Sequence, residues 1–289
     1  MDESVGYAAA SQSELRSTRR LTRRKNRTAA GRFLAEGPQA VREALRMVGC
    51  VQYLLVTRSS AEKHRELTRT AATAGVAVRI TADDVLASLT DTSTPQGVVA
   101  VCRMVDRPLA DVLGADPALV VCCARVRDPG NAGTVIRCAD AFGADAVVLS
   151  EGSVDAYNSK AVRSSAGSLF HVPLVVGAAL SEVVAAARAK GLQVLAADGG
   201  ALIGLDQLNI SGGLTGPCLW LFGNEAWGLP ADDAALCDQR VRVPIYGAAE
   251  SLNLAAAAAV CLYATSTAQR RAASGSRSQT DSPAEPVRF

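Results

Sequence analysis

Two neighbouring stretches decide how this chain folds: Leu219-Trp220-Leu221-Phe222-Gly223-Asn224-Glu225-Ala226-Trp227-Gly228-Leu229-Pro230, and Val243-Pro244-Ile245-Tyr246-Gly247-Ala248-Ala249-Glu250-Ser251-Leu252-Asn253-Leu254. Each reads as strand, loop, helix. The apolar run Cys218 to Phe222 has the composition of a strand buried on both faces, and it stops at Gly223 with polar Asn224 and Glu225 beyond it. Open α/β sheets bind ligands in the crevice outside such strand ends, so Glu225 is placed to touch one. The second stretch repeats the plan. Val241 to Ile245 is strand-like, Gly247 permits a sharp turn, and Ser251 reads as the N-cap of an alanine-rich helix, Leu252 to Ala264.

Working outward, the same alternation extends upstream. Ala118 to Ala124 is a buried strand; Asn131 to Phe142, after Pro129-Gly130, is a helix; Ala146 to Leu149 is the next strand. A strand over Leu169 to Val176, a helix over Ser181 to Lys190 and a strand over Gln193 to Ala197 follow. Strands alternating with helices imply an α/β fold with a mostly parallel sheet covered on both faces. Before it, Pro38 to Val48, Val51 to Val56, Ala61 to Ala72, Val76 to Ile80, Asp83 to Leu89 and Gly97 to Cys102 form a smaller α/β unit. The division is therefore a basic arm over 1–30 expected to be disordered, an α/β domain over 31–105, a linker over 106–117 around Pro108, a larger domain over 118–272, and a disordered Ser- and Pro-rich tail over 273–289.

A chain of 289 residues, 49% hydrophobic, can bury a substantial core. No apolar run approaches the roughly 18 residues of a membrane span, and the charged start lacks an apolar segment behind it, so a cytoplasmic location without a membrane partner is expected. Net charge is only +2, yet Arg16, Arg19, Arg20, Arg23, Arg24, Lys25, Arg27 and Arg32 crowd one acid-free window. A run of this kind reads as a solvated tail or as a phosphate-binding patch. The eight cysteines lie mostly in apolar runs and never as Cys-x-x-Cys, and with only His64 and His171 there is no zinc spacing. The thiols read as reduced core residues, and no metal is expected.

The two stretches quoted first carry Gly-x-Glu-x-x-Gly-Leu at Gly223 to Leu229 and Pro-x-x-Gly-x-x-x-Ser-Leu-Asn at Pro244 to Asn253, and Asp128-Pro129-Gly130-Asn131-Ala132-Gly133-Thr134-Val135-Ile136-Arg137 precedes them. In type and order these resemble the three motifs of the SpoU (TrmH) branch of the SPOUT RNA methyltransferases. The smaller unit, opening on Phe33-Leu34-Ala35-Glu36-Gly37, resembles the ribosomal-protein-like substrate-binding domain of many such enzymes. Glu36 and Gly37 are equally a helix-start signature. The resemblance implies a C-terminal trefoil knot, a homodimer, S-adenosylmethionine as cofactor, and methyl transfer to a ribose 2′-hydroxyl, in 23S ribosomal RNA first and transfer RNA as the alternative. A non-catalytic RNA-binding protein of the same fold, or a base methyltransferase, are the competing classes. A conventional dinucleotide fold needs a glycine-rich turn after its first strand, and none is present.

Carried over residue by residue, the resemblance places Gly223, Val243, Ile245 and Leu252 against the cofactor, with Ala197 and Asp198 closing a further side. Arg137 matches the catalytic arginine, acting as base or as stabiliser of the developing oxyanion; an always-protonated guanidinium makes the second role physically easier. Asn131 orients the ribose or Arg137, or simply caps its helix. Glu225 fixes Arg137 by a charge-assisted bond, while Ser251 and Asn253 hydrogen-bond ribose or phosphate. Asn158, Lys160, Arg163 and Ser165 resemble the family's Lys-x-x-Arg-x-Ser stretch, read as a phosphate clamp or a solvated helix face.

Overall fold

The computed structural model describes residues 6–90, 92, 94–114 and 116–280. The first unit contains β1 (Ala8–Ala9), α1 (Gln12–Arg20), α2 (Arg24–Ala30), β2 (Arg32–Glu36), α3 (Pro38–Arg46) and β3 (Val51–Val56). It continues through α4 (Arg58–Lys63), α5 (Arg65–Thr73), β4 (Ala77–Ile80), α6 (Asp83–Ala87) and β5 (Val98–Arg103). Its sheet is mixed, in the order β1-β4-β3-β5-β2. A short helix, α7 (Leu109–Val112), interrupts the expected linker.

The second unit runs β6 (Leu119–Cys123), α8 (Pro129–Phe142), β7 (Ala146–Ser150), α9 (Ser159–Ser164), β8 (Leu174–Ala178), α10 (Leu180–Ala189) and β9 (Gln193–Ala197). It ends with β10 (Ile203–Gly204), α11 (Leu205–Ile210), β11 (Cys218–Phe222), α12 (Ala231–Ala234), β12 (Gln239–Arg242) and α13 (Leu254–Thr280). Its seven strands are parallel, in the order β10-β12-β9-β11-β6-β7-β8. From β6 the chain builds outward through β7 and β8, then places β11, β9, β12 and β10 on the other side. The direction thus reverses between β6 and β11, where parallel sheets open a crevice at the carboxyl ends of their strands.

The expected disorder over residues 12–30 is not found. Ser11 caps α1 by accepting from the Glu14 amide at 3.2 Å while its own amide donates to Glu14 Oε2 at 2.7 Å, a reciprocal box that fixes the first turn. Arg27 is then buried, its Nε donating to Asp155 Oδ2 at 3.0 Å and its Nη1 to the Leu21 and Thr22 carbonyls at 2.9 Å each. A buried guanidinium needs such partners, and these tie the basic segment to the second unit. Phe33 packs on Tyr157 and Phe170 across the same junction. In the tail, the helix continues through Thr280, so only residues 281–289 of the expected disordered segment lie outside the described residues, as do residues 1–5 of the arm.

Three further boundaries differ. The apolar run at Leu169 holds a 3-10 turn at Ser168–Phe170 and becomes a strand only at Leu174. The last strand stops at Arg242 rather than Ile245, leaving Val243-Pro244-Ile245 in the following loop. The final helix begins at Leu254, with Asn253 rather than Ser251 as its cap. The cysteines are free, six of them buried, and burial lifts the Cys123 and Cys218 thiols to about 12, which keeps them protonated and unreactive. No helix among the described residues is long and apolar enough to cross a membrane.

Candidate active site

The loops that leave β6, β11 and β12 meet at the reversal point. Asp128 caps α8, its Oδ1 accepting from the Asn131 amide at 2.8 Å, while Lys160 Nζ donates to its Oδ2 at 2.7 Å. Those bonds, Lys160 first, hold the Asp128 carboxyl below its ordinary range. Asn131 therefore stands inside the first turn instead of capping it, and its side chain is free to point across the loops. Close approach of α9 requires a glycine on α8: a Cβ at Gly133 would sit 2.3 Å from the Ala161 carbonyl oxygen.

Glu225 is the hub. Its Oε2 accepts from the Arg127 amide at 3.1 Å, and its Oε1 accepts from the Asp128 amide at 3.0 Å and from Asn131 Nδ2 at 3.1 Å. Partial burial pushes its pKa up, but the Asn131 and backbone donors outweigh it and leave the carboxyl below its ordinary range. Asn131 Oδ1 in turn accepts from Asn253 Nδ2 at 3.0 Å, and Asn253 Oδ1 accepts from the Ala255 and Ala256 amides at 2.9 and 3.3 Å. A directional chain results: carboxylate, amide, amide, helix N-terminus. It joins three loops that lie up to 122 residues apart in sequence.

These loops enclose a cavity of about 910 Å³. Ala197, Gly223, Val243, Ile245 and Leu252 all line it, together with Asn131, Glu225, Ser251 and Asn253. Every expected cofactor residue and four of the five expected catalytic ones thus converge. Gly223 is required by its own loop: a Cβ there would lie 2.5 Å from the Gly228 carbonyl carbon, because Asn224 and Gly228 close the turn with paired backbone bonds of 2.9 Å. Ser251 is exposed at the cavity edge.

Arg137 is the exception. It is exposed on α8, outside the lining residues, and six helical positions carry it about 9 Å along and about 120° around from Asn131. Glu225 spends its oxygens on Asn131 and two backbone amides, so the expected Glu225–Arg137 bond is absent, and Asp140 pairs with His171 instead. Lys160 holds Asp128, Arg163 Nη1 meets Glu36 Oε2 at 3.0 Å, Asn158 caps α9 by accepting from the Lys160 amide, and Ser165 is buried. The cluster read as a phosphate clamp is therefore spent on internal bonds that brace α9 between the two units.

Several residues that shape the site escape the motif reading. Asp128 is legible as a cap by its place before Pro129. Tyr246, Glu250 and Arg242 line the cavity from a segment whose apolar start makes it look like strand. Asn224, buried, donates to the Arg125 carbonyl at 2.9 Å and accepts from the Ala226 amide at 2.9 Å, fixing the Glu225 loop.

Residues 118–263 match the model of the SpoU rRNA Methylase family, and residues 12–100 match that of the MRM3-like substrate binding domain. The chain is 37% identical over 260 residues to the 23S rRNA (guanosine(2553)-2′-O)-methyltransferase RlmP of Bacillus subtilis, covering 88% of this chain and 96% of that one. It is also 37% identical over 253 residues to the 23S rRNA (uridine(2479)-2′-O)-methyltransferase of Streptomyces viridochromogenes, covering 84% and 85%. Among solved structures, an AdoMet-bound rRNA methyltransferase from Sinorhizobium meliloti aligns with a TM-score of 0.78 at 29% identity, over 91% of this chain and 97% of that one. The AviRb SpoU methyltransferase of Streptomyces viridochromogenes in complex with AdoMet aligns at 0.76 and 33% identity, over 90% and 100%.

Proposed function

The chain belongs to the SpoU rRNA methylase family, and from that membership we propose that it transfers a methyl group from S-adenosylmethionine to a ribose 2′-hydroxyl of 23S ribosomal RNA. The observation that carries this reading is the convergence of three separated loops, through Glu225, Asn131 and Asn253, on one cavity at the sheet's reversal point. The walls suit the cofactor. Ala197, Val243, Ile245 and Leu252 offer apolar surface for a nucleoside, and of the charged residues at the cavity three are acids, Asp198, Glu225 and Glu250, against one base, Arg242, a balance that favours a cation. S-adenosylmethionine, when bound, supplies a methyl group on a positively charged sulfur.

The protein's own task is alignment and management of the hydroxyl proton. Glu225 is ill suited to be the base, since both oxygens already accept hydrogen bonds and its pKa is held down. It positions the loops. Ser251, exposed at the cavity edge, is free to bond the ribose. Arg137 is assigned to the 2′-oxygen, which a guanidinium stabilises as charge develops. Because it lies outside the cavity walls, the RNA must run over the exposed strip of α8 to meet it, or a second copy must present its Arg137 instead. Mixing an Arg137→Ala chain with a cavity-defective chain separates these, since activity returns only in the second case.

We assign the chain a knotted C-terminal segment, a homodimeric state and a cytoplasmic location. Val260 and Tyr263, 42% and 61% exposed on α13 with Tyr263 against Phe142, support an interface there. The exposed residues Arg16, Arg20, Arg23, Arg24 and Lys25, on α1, α2 and the turn between them and anchored by the buried Arg27, form the RNA phosphate-binding surface. The test is methyl incorporation into unmodified 23S rRNA and into tRNA by the purified protein. Label in 23S rRNA alone is expected; label in tRNA alone would move the substrate to the alternative class.

A further inference from the structure

Trp227 sits in the same loop as Glu225 and is 58% exposed. The loop is bonded on both sides: Asn224 and Gly228 pair backbone to backbone, Asn224 bonds Arg125 and Ala226, and Glu225 holds two amides of the β6 loop. A backbone held by these bonds displays an indole to solvent, forgoing the burial of one of the largest apolar side chains. The only other tryptophan, Trp220, is fully buried, stacked on Phe222 and bonded through Nε1 to Thr265 Oγ1 at 2.9 Å. Arg127, also exposed, meets the same loop through its backbone, its amide donating to Glu225 Oε2 at 3.1 Å. Tyr246, 89% exposed, and Arg242 border the cavity itself.

Aromatic faces interleaved with arginines are the composition of single-strand RNA sites, where bases stack and cations track the backbone. We propose that Trp227 stacks on an unpaired base at the mouth of the cavity while Arg127 meets the adjoining phosphate, so that the substrate is a nucleotide outside a continuous duplex. This rests on the proposed RNA substrate and adds to it the state of the target. An indole buried against a second copy of the chain is the competing occupant.

Because Trp220 is sealed in the core away from any bound RNA, a change in tryptophan emission on adding RNA to the full-length protein reports on Trp227. Titration with a short single-stranded oligouridylate, followed by emission and independently by anisotropy of labelled RNA, is expected to quench or shift the emission as the RNA binds. Trp227→Ala is expected to weaken binding roughly 5- to 150-fold and to raise KM for RNA with little change in kcat. Trp227→Phe should recover most of that affinity, and S-adenosylmethionine affinity by calorimetry should stay unchanged in both variants. The proposal is overturned if RNA binds with no change in emission, if Trp227→Ala binds as the wild type does, if cofactor affinity falls in step with RNA affinity, or if the substitution dissociates a dimer. Absence of any RNA binding by the wild-type protein in the anisotropy arm would overturn the RNA reading itself.

Discussion

Asn253→Asp separates two roles of one side chain. Asn253 Oδ1 caps α13 through the Ala255 and Ala256 amides, and Nδ2 donates to Asn131. Aspartate keeps the acceptor and adds negative charge at a helix N-terminus, worth about 0.3–1 kcal/mol in favour of the fold. It also deletes the donor and turns an oxygen toward Asn131 Oδ1, at a cost of about 1–2 kcal/mol for one broken bond and an opposed acceptor pair. That penalty falls on the alignment of the α8 and α13 loops. The expected result is a melting temperature unchanged or slightly lowered, with kcat/KM for methyl transfer lowered about 5- to 30-fold. Asn253→Ala removes cap and bridge together, so it should show a similar kinetic deficit and a melting temperature lower by about 2–4 °C. The assays are thermal unfolding and labelled methyl transfer to 23S rRNA on the same preparations. Full activity in Asn253→Asp would refute the claim that the amide chain aligns the site.

Four other perturbations follow from the same geometry. Arg137→Ala should lower kcat about 10²- to 10³-fold while calorimetry finds cofactor affinity intact, since Arg137 lies outside the cavity. His171 lies between Asp140 Oδ2 at 2.8 Å and Glu43 Oε2 at 3.1 Å; burial lowers its pKa, but the two carboxylates outweigh it and raise it above 6.5. A raised histidine adds stability fully present below about pH 6.5 and lost as pH climbs through the folded value, so His171→Gln should flatten that decline in denaturant titrations. Arg27→Ala strands the buried Asp155 and should cost about 3–5 kcal/mol in unfolding experiments. Replacing Arg16, Arg20 and Arg23 with glutamine leaves that pair intact and should reduce the salt slope of RNA binding by about 0.7–0.9 for each phosphate no longer neutralised.

The site is legible in the sequence because its chemistry is local. Gly223, Glu225, Asn131, Ser251 and Asn253 fall at fixed spacings within loops that follow apolar strands, so type and placement agree. What they do to one another is not legible. That Glu225 binds Asn131 rather than Arg137 depends on where α8 starts, and Asp128 sets that start one turn earlier than Asn131 would. Val243-Pro244-Ile245 misleads because a cavity wall and a buried strand are equally apolar. The basic arm misleads for another reason: charge density suggests solvent, although Ser11-Gln12-Ser13-Glu14 carries a capping box. No sequence rule pairs Arg27 with Asp155 at a separation of 128 residues. Lys160 and Arg163 look like phosphate ligands because nothing in their spacing reveals Asp128 and Glu36 beside them.

The most direct measurement is the chemical nature of the product. Unmethylated 23S rRNA incubated with the protein and methyl-labelled S-adenosylmethionine is hydrolysed with alkali, and the labelled fragments are separated by length. A 2′-O-methyl ribose blocks cleavage on its 3′ side, so label is expected in an alkali-resistant dinucleotide and is expected to disappear when Arg137 is replaced. Label released as a mononucleotide carrying a methylated base, or retained in full by the Arg137→Ala protein, would contradict ribose methylation assisted by that arginine.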